Sequence, residues 1–321
     1  MNLSVHAMET VADEDHAEFE RAVLAGLGAA PRAIPAKFLY DARGSALFDA
    51  ICDLPEYYLT RSEAAILRTA APEIAALAAS TRTLVEFGSG SSVKTRLLLD
   101  ALRGLRGYAP IDVSREHLDT SAQRLRRDYP RLVVDPICAD YMALESLARI
   151  ARPALGFFPG STIGNLTPEE ARSFLRRARR LLGDDGALVV GVDTKKDTAA
   201  LHAAYNDSAG VTAAFTLNLL RRMNRELDAN FDLSAFSHEA SYDAARGRIE
   251  IYFRSRRPQT VTVAGRTFTF AEGERVHTEY SYKYGAAEFE ALVDGTGFEP
   301  WRTWTDPDRL FAVHHLVSIR S

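Results

Sequence analysis

Cysteine is nearly absent: 2 of 321 residues, Cys52 and Cys138. That argues against a disulfide framework and makes the cytoplasm the expected location. Long apolar runs are missing as well. The longest, such as Ala187 to Val192, are far too short to span a bilayer, so no membrane partner is expected. The N-terminal stretch carries Glu9, Asp13, Glu14 and Asp15 where a secretory signal would need basic and then apolar residues. No sign of charge dominates. With 39 Lys+Arg against 43 Asp+Glu, the net charge of -4 disfavours a general nucleic-acid binder. The 8 histidines fall at no metal-ligand spacing, so no metal is expected. Repeats and low-complexity tracts are also lacking. What remains is a chain 46% hydrophobic, long enough for one large domain or two modest ones.

The middle of the chain alternates strand and helix patterns. Arg82 to Phe87 reads as a buried strand ended by glycines, and Val93 to Leu102 has helical spacing. Further strands are predicted at Gly107–Val113, Leu132–Cys138, Ala154–Phe158 and Gly186–Val192, with a helix over Ser114–Arg127. Thr167-Pro168-Glu169-Glu170 opens another helix as an N-cap followed by proline in the first turn. This rhythm predicts an α/β fold, a parallel sheet with helices on both faces. It breaks after Asp197. Asn206 to Asn230 is helix-like, Arg248–Phe253 and Thr260–Phe270 are β patterns, and a short helix over Ala286–Leu292 precedes two last strands, Phe298–Thr305 and Leu310–Ile319. The expected organisation is therefore a core over 63–197 and 284–321, with a second α+β lobe made from 1–62 and an insertion at 198–283.

Gly88-Ser89-Gly90 sits at a strand end before a helix, where glycine lets backbone approach a ligand. A dinucleotide fingerprint would need a third glycine where Val93 stands, so NAD is disfavoured. Asp112 ends the next strand, 26 residues after Glu86, placed to take both hydroxyls of a ribose. Asp140 follows the third strand with Tyr141 beside it, an acid and a ring suited to an adenine. Three such positions along successive strands resemble the class I (Rossmann-like) methyltransferases that bind S-adenosylmethionine. Those enzymes have a seven-stranded sheet closed by a helix and an antiparallel hairpin, as the segment from Ala286 supplies.

The acceptor segment Phe158 to Leu166 has two glycines, two hydroxyls and an amide in place of the Asn-Pro-Pro-Tyr of many amine and base methyltransferases. Here the resemblance becomes specific. Lys37-Phe38-Leu39-Tyr40-Asp41 with Gly44-Ser45 and Leu47-Phe48-Asp49 is similar to motifs of the L-histidine Nα-methyltransferases of ergothioneine biosynthesis. So are Leu54-Pro55-Glu56-Tyr57-Tyr58 with Thr60-Arg61 and Glu63, and Glu86 to Gly90 with Lys94-Thr95-Arg96. Gly160 to Leu166, Tyr205-Asn206-Asp207 with Ala209 to Phe215, Asn224 to Leu227, and Thr278-Glu279 with Ser281 and Lys283 complete a match over nearly the whole chain.

The resemblance implies a SAM-dependent trimethylation of the histidine α-amine, with a monomer expected. It gives Gly88, Lys94, Asp112, Asp140 and Tyr141 to the cofactor. Tyr40 lies near the reacting centre, and Tyr40, Asn165 and Gly160 form the catalytic group. Asn165 and Tyr205 would hold the substrate carboxylate, the Gly160 carbonyl with Asn165 the α-amine, and Tyr57, Glu279 and Ser281 the imidazole. Phe48 would face the increasingly methylated nitrogen. Ile251 stands where methionine is expected in that pattern, and Leu39 where an aromatic is common. On the residues alone, Tyr57-Tyr58 serves equally as a packed aromatic corner, and Glu279 in a strand pattern has solvent as its default. The same scaffold acting on another amino acid or amine, and a SAM-fold protein that has lost catalysis, are the competing readings.

Overall fold

The computed structural model describes residues 2–90, 93–147 and 150–319, with side chains from residue 15 onward, so Glu9, Asp13 and Glu14 lie outside the described side chains. The chain opens with α1 (Asn2–Gly28), a 3-10 turn at Ala36–Leu39, α2 (Ala42–Cys52) and α3 (Tyr58–Leu77). An alternating stretch follows: β1 (Thr83–Phe87), α4 (Val93–Ala101), β2 (Gly107–Asp112), α5 (Arg115–Asp128), β3 (Val133–Val134), β4 (Ile137–Cys138), β5 (Ala154–Phe158), α6 (Pro168–Leu182) and β6 (Ala187–Asp193). Two helices, α7 (Thr198–Tyr205) and α8 (Val211–Glu226), lead to β7 (Phe236–Asp243), β8 (Arg248–Ser255), β9 (Gln259–Val263), β10 (Arg266–Phe270) and β11 (Arg275–Tyr282). The last elements are α9 (Ala286–Val293), β12 (Phe298–Thr305) and β13 (Phe311–Ser318).

The main sheet runs β12-β13-β6-β5-β1-β2-β3, with β4 also paired to β2. Strands β1, β2, β4, β5 and β6 are mutually parallel, while β13 runs antiparallel to both β6 and β12. The sheet has seven positions built from eight segments, because the strand expected at Leu132–Cys138 is cut in two at Asp135-Pro136. Proline has no N–H for the ladder. β1 and β5 are buried along their whole length, as strands covered on both faces must be. Phe174 of α6 packs against Phe87 and Phe158, with ring centroids 5.2 and 4.2 Å apart. Gly156 permits this packing, since a Cβ there would lie 2.7 Å from Leu182 and Leu188 methyls. Helix α6 starts where the sequence predicts, with Thr167 and Glu170 forming a reciprocal capping box.

Two other sequence expectations change. Thr260–Phe270 is not one strand but the β9–β10 hairpin, turning at Ala264 and Gly265 with φ of 45° and 74°. Two positive φ values in a two-residue loop match the right-handed twist of the flanking strands. The helix expected from Asn206 begins instead at Val211, after Gly210 at φ 72°. Asp207 accepts the N–H groups of Val211 and Thr212, each at 2.8 Å, and these bonds hold its carboxyl below the ordinary range despite the upward push of burial.

The chain divides into two compact units. One comprises 1–48, 205–241 and 250–279; the other comprises 49–204, 242–249 and 280–321 and holds the main sheet. The boundaries expected at 62, 197 and 283 thus fall at 48, 204 and 279. The physical reason at the first boundary is α3, whose apolar face packs on α4 and β13 of the main sheet. The expected hairpin extends the core sheet as β12 and β13. β11, β8 and β7 form a separate three-stranded sheet in that order.

Candidate functional site

In the unit holding the main sheet, Gly88, Asp112, Asp140 and Gly160 lie at or just beyond the C-terminal ends of β1, β2, β4 and β5. These strands are parallel, so the four positions share one sheet edge. The strand order reverses between β1 and β5, the place where open α/β sheets bind ligands. Gly88 (φ 75°) donates its N–H to Ile111 O at 2.8 Å, and Gly90 also has a positive φ. The Asp112 carboxylate accepts the Ser114 N–H at 2.9 Å and the backbone N–H groups of Ser89 and Gly90, which ties the glycine turn to the strand-end acid. Burial nevertheless pushes the Asp112 carboxyl above its usual value. Asp140 accepts the Met142 N–H at 2.8 Å, while Tyr141 sits edge-on to Phe158 and Phe174, at 5.4 and 5.6 Å. A Cβ on Gly88 would reach 4.0 Å from the Tyr141 ring. A glycine turn open at one face, a strand-end carboxylate and an anchored ring fit a nucleoside with its ribose and base.

Behind this edge Glu86 is fully buried. The Thr95 hydroxyl donates to both its oxygens at 2.8 Å, and Tyr108 donates to one. Burial outweighs these bonds and raises its carboxyl to about 8, so Glu86 is largely protonated at neutral pH. Lys94 is not a solitary cation: its ammonium meets Glu63 at 2.6 Å. The same Glu63 oxygen accepts the Gly160 N–H at 2.8 Å. Asn165 closes the 3-10 turn Thr162–Asn165 that follows.

Tyr57 is buried at the start of α3, and Arg61 explains its neighbouring motif. That guanidinium donates to the carbonyls of Leu54, Pro55 and Tyr57 at 2.7, 2.6 and 3.3 Å, clamping the turn that delivers the tyrosine. Ser281 lies beside a fully buried charge cluster. Lys283 donates to its hydroxyl at 2.8 Å and pairs with Asp193 at 2.6 Å, and Tyr58 donates to both Asp193 oxygens at 2.9 Å. Lys196 joins Asp193 as well, and burial lowers its ammonium to about 8.

The other unit carries Tyr40, Phe48, Tyr205, Ile251 and Glu279. Tyr40, Phe48 and Phe215 form an aromatic triad with centroids 5.4 to 6.0 Å apart. Asp41 fixes its base. Its carboxylate accepts from Gly44 N–H, the Asn218 amide and Arg225, each at 2.7 Å. Burial raises this carboxyl, but the three donors, Arg225 foremost, leave it below the usual range. Tyr205 is buried, and its carbonyl accepts from His238 Nε2 at 2.9 Å. Nδ1 of that ring therefore accepts the Thr216 hydroxyl at 3.0 Å, and burial depresses the ring so that it stays neutral. Ile251 and Glu279 lie on adjacent strands, with the Thr278 hydroxyl donating to Ile251 O at 3.1 Å. Glu279 is 8% exposed, against the solvent-facing default for a strand acid.

Sequence reasoning assigned no role to Glu63, Tyr58, Asp193 or Lys283. Glu63, Tyr58 and Lys283 stood inside quoted motifs, which was the available signal. Among the described residues no group of three or more His, Cys, Asp or Glu could hold a metal ion, and no helix is long and apolar enough to cross a membrane.

The profile of a family described as histidine-specific methyltransferase, SAM-dependent, matches residues 19–318. The chain is 45% identical over 314 residues to a histidine N-alpha-methyltransferase of Mycolicibacterium smegmatis, covering 96% of this chain and 97% of that one. It is 42% identical to the protein of the same name from Mycobacterium tuberculosis, covering 92% and 93%. Ergothioneine biosynthesis protein 1 of Neurospora crassa is 32% identical over 90% of this chain and 34% of its own length. With the nucleoside-fitting edge of a class I fold and a profile match along nearly its whole length, the chain belongs to the histidine-specific, SAM-dependent methyltransferases.

Proposed function

We propose that this enzyme methylates the α-amine of L-histidine three times, giving hercynine for ergothioneine biosynthesis. S-adenosylmethionine would supply a methyl group on a sulfonium sulfur: the neutral amine lone pair would attack that carbon in line, the C–S bonding pair would leave with sulfur, and an N–H proton would pass to solvent before each further round. Such a displacement needs alignment more than a nucleophilic side chain or metal, and a surround of hydroxyls and amides keeps the amine uncharged. Gly88, Lys94, Asp112, Asp140 and Tyr141 hold the cofactor in this reading, and Tyr40 lies near the reacting centre. The Gly160 carbonyl and the Asn165 amide take the amine; Asn165 and Tyr205 take the carboxylate. Phe48 offers an aromatic face to the growing quaternary ammonium, which needs no hydrogen-bond acceptor.

The observation that carries histidine as the substrate is on β11. Glu279 and Ser281 alternate by two on one strand face and both are buried. A carboxylate accepts a ring N–H and a hydroxyl reaches the second nitrogen, with Tyr57 completing the imidazole site. A carboxylate and a hydroxyl spaced in this way favour a ring that offers an N–H and a second nitrogen over one that offers neither.

The test is incubation with the cofactor and each of the twenty amino acids, plus histamine, read by mass. Histidine should gain three methyl groups and histamine almost none, because the carboxylate anchors are then unused. Comparable turnover of histamine, or faster methylation of another amino acid, would refute the assignment. Asn165→Ala should raise the KM for histidine about ten- to a hundred-fold, the loss of one hydrogen bond to a charged group.

A further inference from the structure

Glu63 belongs to a sequence motif but to none of the roles above. It projects from α3 with no exposed surface. One oxygen, Oε2, accepts both the Lys94 ammonium at 2.6 Å and the Gly160 N–H at 2.8 Å. The other, Oε1, is buried with no hydrogen-bond partner. β6 is cut back to admit it: a Cβ on Gly191 would overlap Oε1. A buried carboxylate with half its acceptor capacity unused is costly to keep, and its retention calls for a use beyond packing.

That use is visible in the loop it grips. Gly160 and Ser161 are consecutive residues with φ of 75° and 59°. Serine in the left-handed region is strained and persists only where surroundings impose it. Three bonds do so. Glu63 takes the Gly160 N–H, the Ser161 hydroxyl oxygen accepts the Asp193 N–H at 3.0 Å, and the Thr162 hydroxyl donates to Pro159 O at 2.7 Å. The Gly160 carbonyl follows directly from those dihedrals. A Cβ at 160 would lie 3.4 Å from Lys94 Nζ, so the Lys94 head group packs directly over this turn.

We propose that Glu63 is a positioning residue for methyl transfer: it locks the Gly160–Ser161 turn so that the Gly160 carbonyl is aimed at the acceptor amine, and it holds Lys94 beside that turn. This rests on the reading that Gly160 receives the α-amine. The aim matters while the neutral amine still carries an N–H for that carbonyl to accept: two before the first transfer, one before the second and none before the third. Loosening the turn should therefore slow the first two transfers and let the monomethyl product leave before methylation is complete.

The variant is Glu63→Gln, which preserves shape and one acceptor while removing the charge. The expected result is a kcat for histidine lower by about ten- to a hundred-fold, with monomethylhistidine accumulating. Lys94→Met should instead weaken cofactor binding and leave trimethylhistidine as the product. A merely structural role would lower the melting temperature without shifting the product distribution. A folded Glu63→Gln enzyme that releases only the trimethyl product at the wild-type kcat overturns the proposal. If that variant fails to fold, Glu63→Asp is read the same way, since it keeps the charge but falls short of Gly160: partial products support the proposal and wild-type products overturn it. Wild-type enzyme that left histidine unmethylated would instead sink the substrate reading, and the Glu63 proposal with it.

Discussion

Replacing Asp112 with alanine should weaken S-adenosylmethionine binding at least about a hundredfold while the protein stays folded. The carboxylate at the end of β2 already accepts backbone N–H groups, from Ser89, Gly90 and Ser114, so it holds the glycine turn as well as serving, in the proposed reading, the ribose hydroxyls. The sign of its pKa separates fold from function. Burial raises the Asp112 carboxyl in the folded state. A folded-state pKa above the unfolded one means that the ionised form opposes folding, with stability greatest below the unfolded pKa and falling as pH rises toward the folded one. At neutral pH the fold therefore gains nothing from this charge. Asp112→Asn should melt at the wild-type temperature or higher at pH 7 and still bind cofactor poorly. Calorimetry giving unchanged cofactor affinity for Asp112→Ala would remove the residue from the site.

The second large effect concerns selectivity. Glu279→Ala should abolish most histidine turnover and narrow the preference for histidine over tryptophan or phenylalanine. A benzene ring offers neither the N–H that the Glu279 carboxylate would accept nor the nitrogen that the Ser281 hydroxyl would reach, and each substrate hydrogen bond forgone costs roughly 0.5–1.5 kcal/mol, more for the one to the carboxylate. Together that amounts to about one to two orders of magnitude in kcat/KM. Glu272 is the control: it is an exposed acid in the turn before β11, and its alanine variant should behave as wild type. The measurement is the ratio of kcat/KM for histidine over tryptophan. An unchanged ratio in Glu279→Ala would place selectivity elsewhere, with Tyr57 the next candidate.

How legible this protein is depends on whether a signal is local. The strand-helix rhythm, the Thr167-Pro168 helix start and the C-terminal hairpin follow from periodicity and capping chemistry, and the structure has them in place. The β9–β10 turn was hidden because Ala264 stands where Asn or Gly would announce two positive φ values. Strand Leu132–Cys138 read as continuous because its apolar pattern overrode Pro136. At the candidate site, strand-end acids and glycines are readable because their chemistry is tied to a position. Glu63 is not. An acid on a helix reads as a solvated face, and its burial depends on Gly191, 128 positions later in the chain. Asp193 and Lys283 are hidden for the same reason, since a buried ion pair is a fact of tertiary structure.

The place of β13 has a consequence for how the chain is made. This strand, Phe311–Ser318, follows all the other described strands in sequence, yet it lies inside the sheet between β6 and β12. As the chain leaves the ribosome, the edge of β6 that β13 covers stays open until more than a hundred further residues have been synthesised, and β12 emerges before the strand it pairs with. This side of the sheet depends on contacts of long sequence separation, which are slow to form and leave strand edges exposed meanwhile.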